Sequence, residues 1–219
     1  RHDQLLNHNI DASILTSVDN SGRRMRYNSS MGRNDKLVHD WRSRICDIHI
    51  PPAHQSEVLV LLPCSATKPY RLSQSHHRFL KNISSNRVHQ VMVTSPMGLV
   101  PRELEDLWPA AHYDIPVTGD WDVDELDMIN SMVTDICRRS NYAYVINHSG
   151  IELSIGSAIV KDTRLGTAGS KESLSELSIS VSEAVGKLNL QDVSEKKNRI
   201  ELMKSRSRFI HGTDDWLDG

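Results

Sequence analysis

The chain has 219 residues, 38% of them hydrophobic, and its 26 basic and 28 acidic side chains leave a net charge of −2. That length and apolar content suffice for one good-sized core and exclude a collagenous, low-complexity or wholly disordered chain. No apolar stretch reaches the ~20 residues of a membrane-spanning helix, and RHDQLLNHNI has no apolar signal segment, so a cytoplasmic protein with no membrane partner is expected.

The chain opens on Arg1 rather than Met, so its native N-terminus is expected on a longer polypeptide. Residues 1–34, rich in Asn, Ser, Asp and Gly, read as irregular or weakly stranded. From Asp35 to about Asp47, Leu37, Trp41 and Ile45 recur at helical spacing until Pro51–Pro52 stops the pattern. VLVLLP after Glu57 is a continuous apolar run ending in proline, the signature of a buried parallel strand at about Val58–Leu62. Further strands are predicted at Val88–Thr94 and Tyr142–Asn147, with helices at about Ser75–Ile83 and Val123–Ser140 between them. Leu126, Ile129, Val133 and Ile136 make one face of the longer helix, and Asp122 with Glu125 can cap it.

SKESLSELSISVSEAV places Leu174, Leu177, Val181 and Val185 at helical spacing, although Leu177, Ile179 and Val181 also alternate with serines; helix is the preferred reading. A charged helix is predicted from Asp192 to Phe209, before a frayed end. The fold expected is α/β: a parallel or mostly parallel sheet flanked by helices, with an irregular N-terminal extension and C-terminal helices. The divisions are 1–50 (extension with helix), 51–160 (α/β core) and 161–219 (helical segment).

Three polar loops carry the candidate chemistry. The first, Pro63–Phe79, follows the strongest strand, where ligands bind in parallel sheets. It offers the Cys64 thiol, the Lys68 amine, the His76 imidazole and the hydroxyls of Ser65, Tyr70, Ser73 and Ser75. The plain reading is a polar loop with a small buried cysteine and a capping serine. The second, Ser95–Pro109, carries Arg102, Glu103 and Glu105 at the start of a short helix. The third, Tyr113–Asp122, carries Asp114, Thr118, Gly119, Asp120 and Trp121. Three widely spaced cysteines give neither a disulfide framework nor a CxxC site, and none of the eleven histidines falls in a ligand spacing such as HExxH. No metal and no cofactor is expected.

LLPCSATKPYRLSQSHHRF resembles the PCSxxKPYxxSxSH signature of the archaeosine synthases, relatives of archaeal tRNA-guanine transglycosylases. SPMGLVPRELE and HYDIPVTGDWD are similar to that family's SPxGxVPRELE and YDIPVTGxWD segments, in the same order; the likeness spans about 35–155. The transglycosylase zinc site and catalytic region have no counterpart. The tail, 197–212, is similar to the family's run-up to a PUA-type RNA-binding domain, which this chain is expected to lack. The resemblance implies an archaeal tRNA-modification enzyme in archaeosine biosynthesis. It adds an amine donor, lysine in one branch, across the nitrile of 7-cyano-7-deazaguanine in tRNA, and a radical S-adenosylmethionine partner can then cleave the adduct. A PUA-containing domain or subunit would supply phosphate contacts that a net charge of −2 does not.

Residue chemistry frames a mechanism. Cys64 can attack the nitrile to form a thioimidate that the amine displaces, with Lys68 or His76 moving protons. Arg102, Glu103, Asp114 and Asp120 can hold a zwitterionic donor, Tyr70 or Trp121 can stack on the base, and Ser65, Ser73, Ser75, Thr118 and Gly119 complete the rim. The alternatives are direct attack by the amine with Cys64 only packing, and a non-catalytic module that positions tRNA or docks the radical enzyme. A nucleoside glycosylase lacks a convincing acid pair.

Overall fold

The computed structural model describes residues 35–114, 121–156 and 158–212, together with the backbone of a two-residue strand, β1 (Met25–Arg26). The run after Glu57 becomes β2 (Val58–Pro63), the centre of a five-stranded sheet. Its residues from Val58 to Leu62 are completely buried, as they must be with strands on both sides and helices on both faces. β3 (Val88–Thr94) pairs parallel on one flank, in register Val58↔Val88. Beyond it β4 (Gly98–Pro101) returns antiparallel, and a Cβ on Gly98, whose φ is +74°, would collide with the Met132 sulfur. Next comes the short β5 (Tyr113–Asp114), which pairs parallel with β1. On the other flank of β2 lie β6 (Tyr144–Asn147) and β7 (Ile159–Asp162), both parallel, giving the order β4-β3-β2-β6-β7.

The mostly parallel α/β sheet is therefore as the apolar runs indicate, and the third predicted strand begins at Tyr144 instead of Tyr142. Two edge strands escaped the sequence reading. β4 sits among prolines that an edge strand tolerates because one side of its backbone needs no partner. β7 is four residues ending in Lys161–Asp162, charges that protect an edge and dilute the apolar signal.

Each α-helix among the described residues starts at a side-chain cap, among them the predicted Asp122–Glu125 pair. Asp35 accepts from the Leu37 amide (2.8 Å) at α1 (Lys36–Asp47), and Ser73 accepts from the His76 amide at α2 (Gln74–Asn82). Asp122 and Glu125 form a capping box on α3 (Val123–Arg139). The serine-interleaved segment is helical, α4 (Lys171–Lys187), with Leu177, Val181 and Ala184 buried. α5 (Glu195–His211) ends at Gly212, which supplies a left-handed φ of 76°. α1 packs on α3 and α2 on α4, covering opposite faces as right-handed crossovers require. α5 packs on the 3-10 turn Arg102–Leu104.

α1, α4 and α5 contribute to the same apolar core as the sheet. Trp41 donates its indole N–H to the Leu99 carbonyl (3.0 Å) and meets Phe209 edge-on at 5.1 Å. Among the described residues no helix is long and apolar enough to cross a membrane.

Candidate active site

Strand alternation sets up the site. On β3, Gln90 and Thr94 point to the face covered by α2, while β2 delivers Pro63 and Cys64 to the carboxyl end beside them. The loop after β2 turns through Pro69 into the 3-10 turn Tyr70–Leu72 and then into α2. The loops after β2 and β3 consequently meet.

Their meeting point is a buried chain of hydroxyls. The Tyr70 phenol hydrogen-bonds the Tyr113 phenol, which also hydrogen-bonds the Thr94 hydroxyl. Cys64 stands at the end of this chain, half-buried beside Thr94. Burial pushes the thiol pKa up; the Lys68 charge and the Thr94 hydroxyl pull against that rise. Burial likewise raises both phenols, which stay protonated. Lys68 lies with Nζ 4.1 Å from the Tyr113 ring centroid and 5.7 Å from that of Tyr70, and Nζ donates to the Ser65 carbonyl (3.4 Å). The amine is thus held over two aromatic faces beside the thiol.

Behind this group an imidazole braces a guanidinium. Arg102 Nη2 donates to His76 Nδ1 (2.9 Å), Nη1 to Glu105 (3.0 Å) and Nε to Gln90 (3.2 Å). A guanidinium can only donate, so His76 Nδ1 accepts, and its Nε2–H donates to the Pro63 carbonyl at 3.0 Å. Burial and the Arg102 charge hold the His76 pKa down at about 3, leaving the ring neutral with both nitrogens engaged. Glu105 is buried and also accepts from the Arg71 amide (3.0 Å). Ser73 caps α2 and pairs with Ser75 (3.2 Å), and Ser65 bonds back to the Thr67 carbonyl.

The structure therefore brings Cys64, Ser65, Lys68, Tyr70, Ser73, Ser75, His76 and Arg102 into one region. Glu103 is turned away from it, to the other face of β3, where its carboxylate accepts from His49 (2.8 Å). Trp121 is half-buried against the core just before α3, and Asp114 lies in β5. Thr118, Gly119 and Asp120 lie outside the described residues. Sequence reasoning missed Gln90 and Thr94 as members, and gave no role to Glu105 and Tyr113, which lay in the second and third polar segments. Thr94 had a visible signal, the last residue of a strand beside the motif strand; Tyr113 opens the third polar segment.

Open α/β sheets bind ligands outside the carboxyl ends of their strands, and at that position this domain gathers a thiol, an amine, two phenols and a braced guanidinium. The chain belongs to the family described as "Domain of unknown function (DUF5591)", whose model matches residues 38–181. It is 38% identical over 177 residues to the archaeosine synthase subunit alpha of Methanosarcina acetivorans, covering 76% of this chain and 27% of that protein. It is 35% identical over 167 residues to the archaeosine synthase of Methanocaldococcus jannaschii, covering 72% and 28%. The chain thus spans about a quarter of the length of these curated relatives. The motif resemblance to an archaeosine synthase core region is borne out. The crystal structure of AF0587, a protein of unknown function, superposes with a TM-score of 0.49 at 19% identity, over 77% of this chain and 55% of that one.

Proposed function

We propose that this chain carries the reacting site of an archaeosine synthase-type enzyme of tRNA modification. Its substrate is 7-cyano-7-deazaguanine in tRNA, and its second substrate is an amino-acid amine, lysine foremost. The reaction is addition of that amine across the nitrile to give an amidine. The observation that carries the reading is the convergence of Cys64, Lys68, Tyr70 and His76, all from one contiguous motif, with Thr94 at the end of β3 and Arg102 and Tyr113 from the next two motifs. The names of the relatives point the same way.

In the covalent route the Cys64 sulfur bonds to the nitrile carbon, and a proton delivered to the nitrogen leaves a neutral thioimidate. The donor amine then adds to the same carbon, the C–S bond breaks, and the thiol regains a proton as the amidine forms. Lys68 supplies and recovers the proton, because His76 has both nitrogens committed. Half-buried Trp121 is the aromatic left to stack the base, since Tyr70 is completely buried, and Arg102 fixes the frame rather than moving with substrate. One observation favours a second route: burial of Cys64 disfavours the thiolate, so a deprotonated donor amine would attack directly with Cys64 packing beside it.

A PUA-containing domain or subunit supplies the phosphate contacts, since a chain of net charge −2 grips tRNA weakly alone, and a radical S-adenosylmethionine enzyme takes the adduct onward. The test is nucleoside mass spectrometry of cyano-modified tRNA incubated with this chain, its RNA-binding partner and candidate amines. An amine-dependent adduct is expected. Without amine, the covalent route leaves the nucleoside's mass on Cys64, while its absence alongside normal turnover selects direct attack. A chain that binds and positions the tRNA but supports no adduct with any amine is a non-catalytic module, and the proposal is then wrong.

A further inference from the structure

On the face of β3 opposite the candidate site, three groups from distant parts of the chain converge. His49 follows α1, His89 lies on β3, and Glu103 sits in the 3-10 turn after β4. Their side chains are 1%, 0% and 2% exposed, and their ligand atoms all lie within 4.8 Å of one another. The two imidazoles stack at 5.5 Å and present both Nε2 atoms to the same carboxylate. His49 Nε2 is 2.8 Å and His89 Nε2 3.4 Å from Glu103 Oε1.

Hydrogen bonding within the protein does not complete this cluster. His89 spends its Nδ1 on the Tyr142 hydroxyl at 2.5 Å. Its Nε2 is buried without a hydrogen-bond partner, and so is Glu103 Oε2. Buried polar atoms are satisfied in the great majority of cases, and an ion is one of the few ways an unpartnered carboxylate oxygen and an unpartnered imidazole nitrogen of one cluster are satisfied together. We propose that His49, His89 and Glu103 form a structural site for a divalent transition metal of the zinc class.

The donor chemistry fits. Two imidazole nitrogens and a carboxylate oxygen are borderline ligands suited to Zn²⁺, and bonds of about 2.0–2.1 Å in a tetrahedron separate ligand atoms by roughly 3.3 Å. The 3.4 Å between His89 and Glu103 already matches, while the His49 proton now shared with Glu103 gives way to the metal. With a metal on Nε2, His89 Nδ1–H donates to the Tyr142 hydroxyl, which is then the outer partner that orients the ring. Ser205 of α5, with Oγ 3.1 Å from Glu103 Oε1, stands beside the fourth position. A metal here ties the end of α1, β3 and the 3-10 turn together, and so holds Arg102, one residue before Glu103, toward His76 from behind.

The test uses the full chain, stripped with chelator and then titrated with Zn²⁺ or Co²⁺. Expected are about one tightly held zinc per chain, visible d–d bands of four-coordinate cobalt, and a raised Tm. In His89→Gln and Glu103→Gln, bound zinc should fall about tenfold or more and the cobalt bands should vanish. No stoichiometric binding, or binding unchanged in both variants and therefore on other histidines, overturns the proposal. Should a variant fail to fold, X-ray absorption of the zinc-loaded wild-type chain decides. A shell of two imidazoles with light oxygen ligands supports the site; sulfur ligands, or an all-oxygen shell, overturn it.

Discussion

His89 and Gln90 are neighbours on β3, yet their side chains enter two unlike clusters on opposite faces of one strand. Gln90 helps hold Arg102 behind the Cys64 loop, in a region that opens toward solvent and mixes a thiol, an amine and phenols. His89 faces a sealed pocket of imidazoles and one carboxylate, whose groups come from α1, β3 and the turn after β4. Arg102 and Glu103 repeat the division on the adjoining turn, one to each side. The lesson is that consecutive residues of this fold serve opposite faces of the sheet: on the proposed reading the groups at the strand ends meet substrate, while those behind them hold the frame.

The sharpest way to break this comparison is at the reactive end. Cys64→Ala should abolish adduct formation on cyano-modified tRNA, read by nucleoside mass spectrometry, while moving Tm by only a few degrees. A variant that turns over normally assigns Cys64 to packing. Next in size, Arg102→Ala removes the guanidinium from a buried carboxylate and, among the described residues, leaves Glu105 with only Arg71 for a charge partner. Breaking such a pair costs about 3–5 kcal/mol, so urea denaturation should show a large loss. A loss under about 1 kcal/mol would mean that Arg102 belongs with the reacting groups and not with the frame.

A smaller effect distinguishes His76. Its pKa is held at about 3 in the fold, against about 6.5 in an unfolded chain. Below pH 6.5 the unfolded chain takes up a proton that the folded chain refuses, so this stability is complete above pH 6.5 and declines as pH falls toward 3. The slope approaches about 1.4 kcal/mol per pH unit. His76→Gln should therefore show a shallower loss of stability between pH 7 and pH 5 than the wild-type chain, measured by urea denaturation at each pH. Equal slopes would place the ring's titration outside the buried frame. The smallest change tests the frame alone: Trp41→Phe deletes the hydrogen bond to the Leu99 carbonyl and should cost about 1 kcal/mol, with adduct formation intact.

The sequence by itself determined the sheet's centre, because VLVLLP and VHQVMVT are apolar runs whose burial on both faces leaves only one reading. It also came close to the starts of the first three helices, since Asp35, Ser73 and Asp122 cap through contacts two or three residues away, whereas the last helix begins at Glu195 and not Asp192. The Cys64 motif was legible for the same reason: its members lie within fourteen residues or fewer of one another, on one strand–loop–helix unit. Only tertiary structure decided what lies across the sheet. β4 and β7 are strands because a neighbouring edge pairs them, not because their residues demand it. Thr94 and Tyr113 join the Cys64 group through sheet order. Glu103 left the rim because one step along the turn reverses the side a residue faces. His49, His89 and Glu103 are separated by 40 and 14 positions, and no local spacing anticipates a cluster that exists only once α1 and β4 have docked on β3.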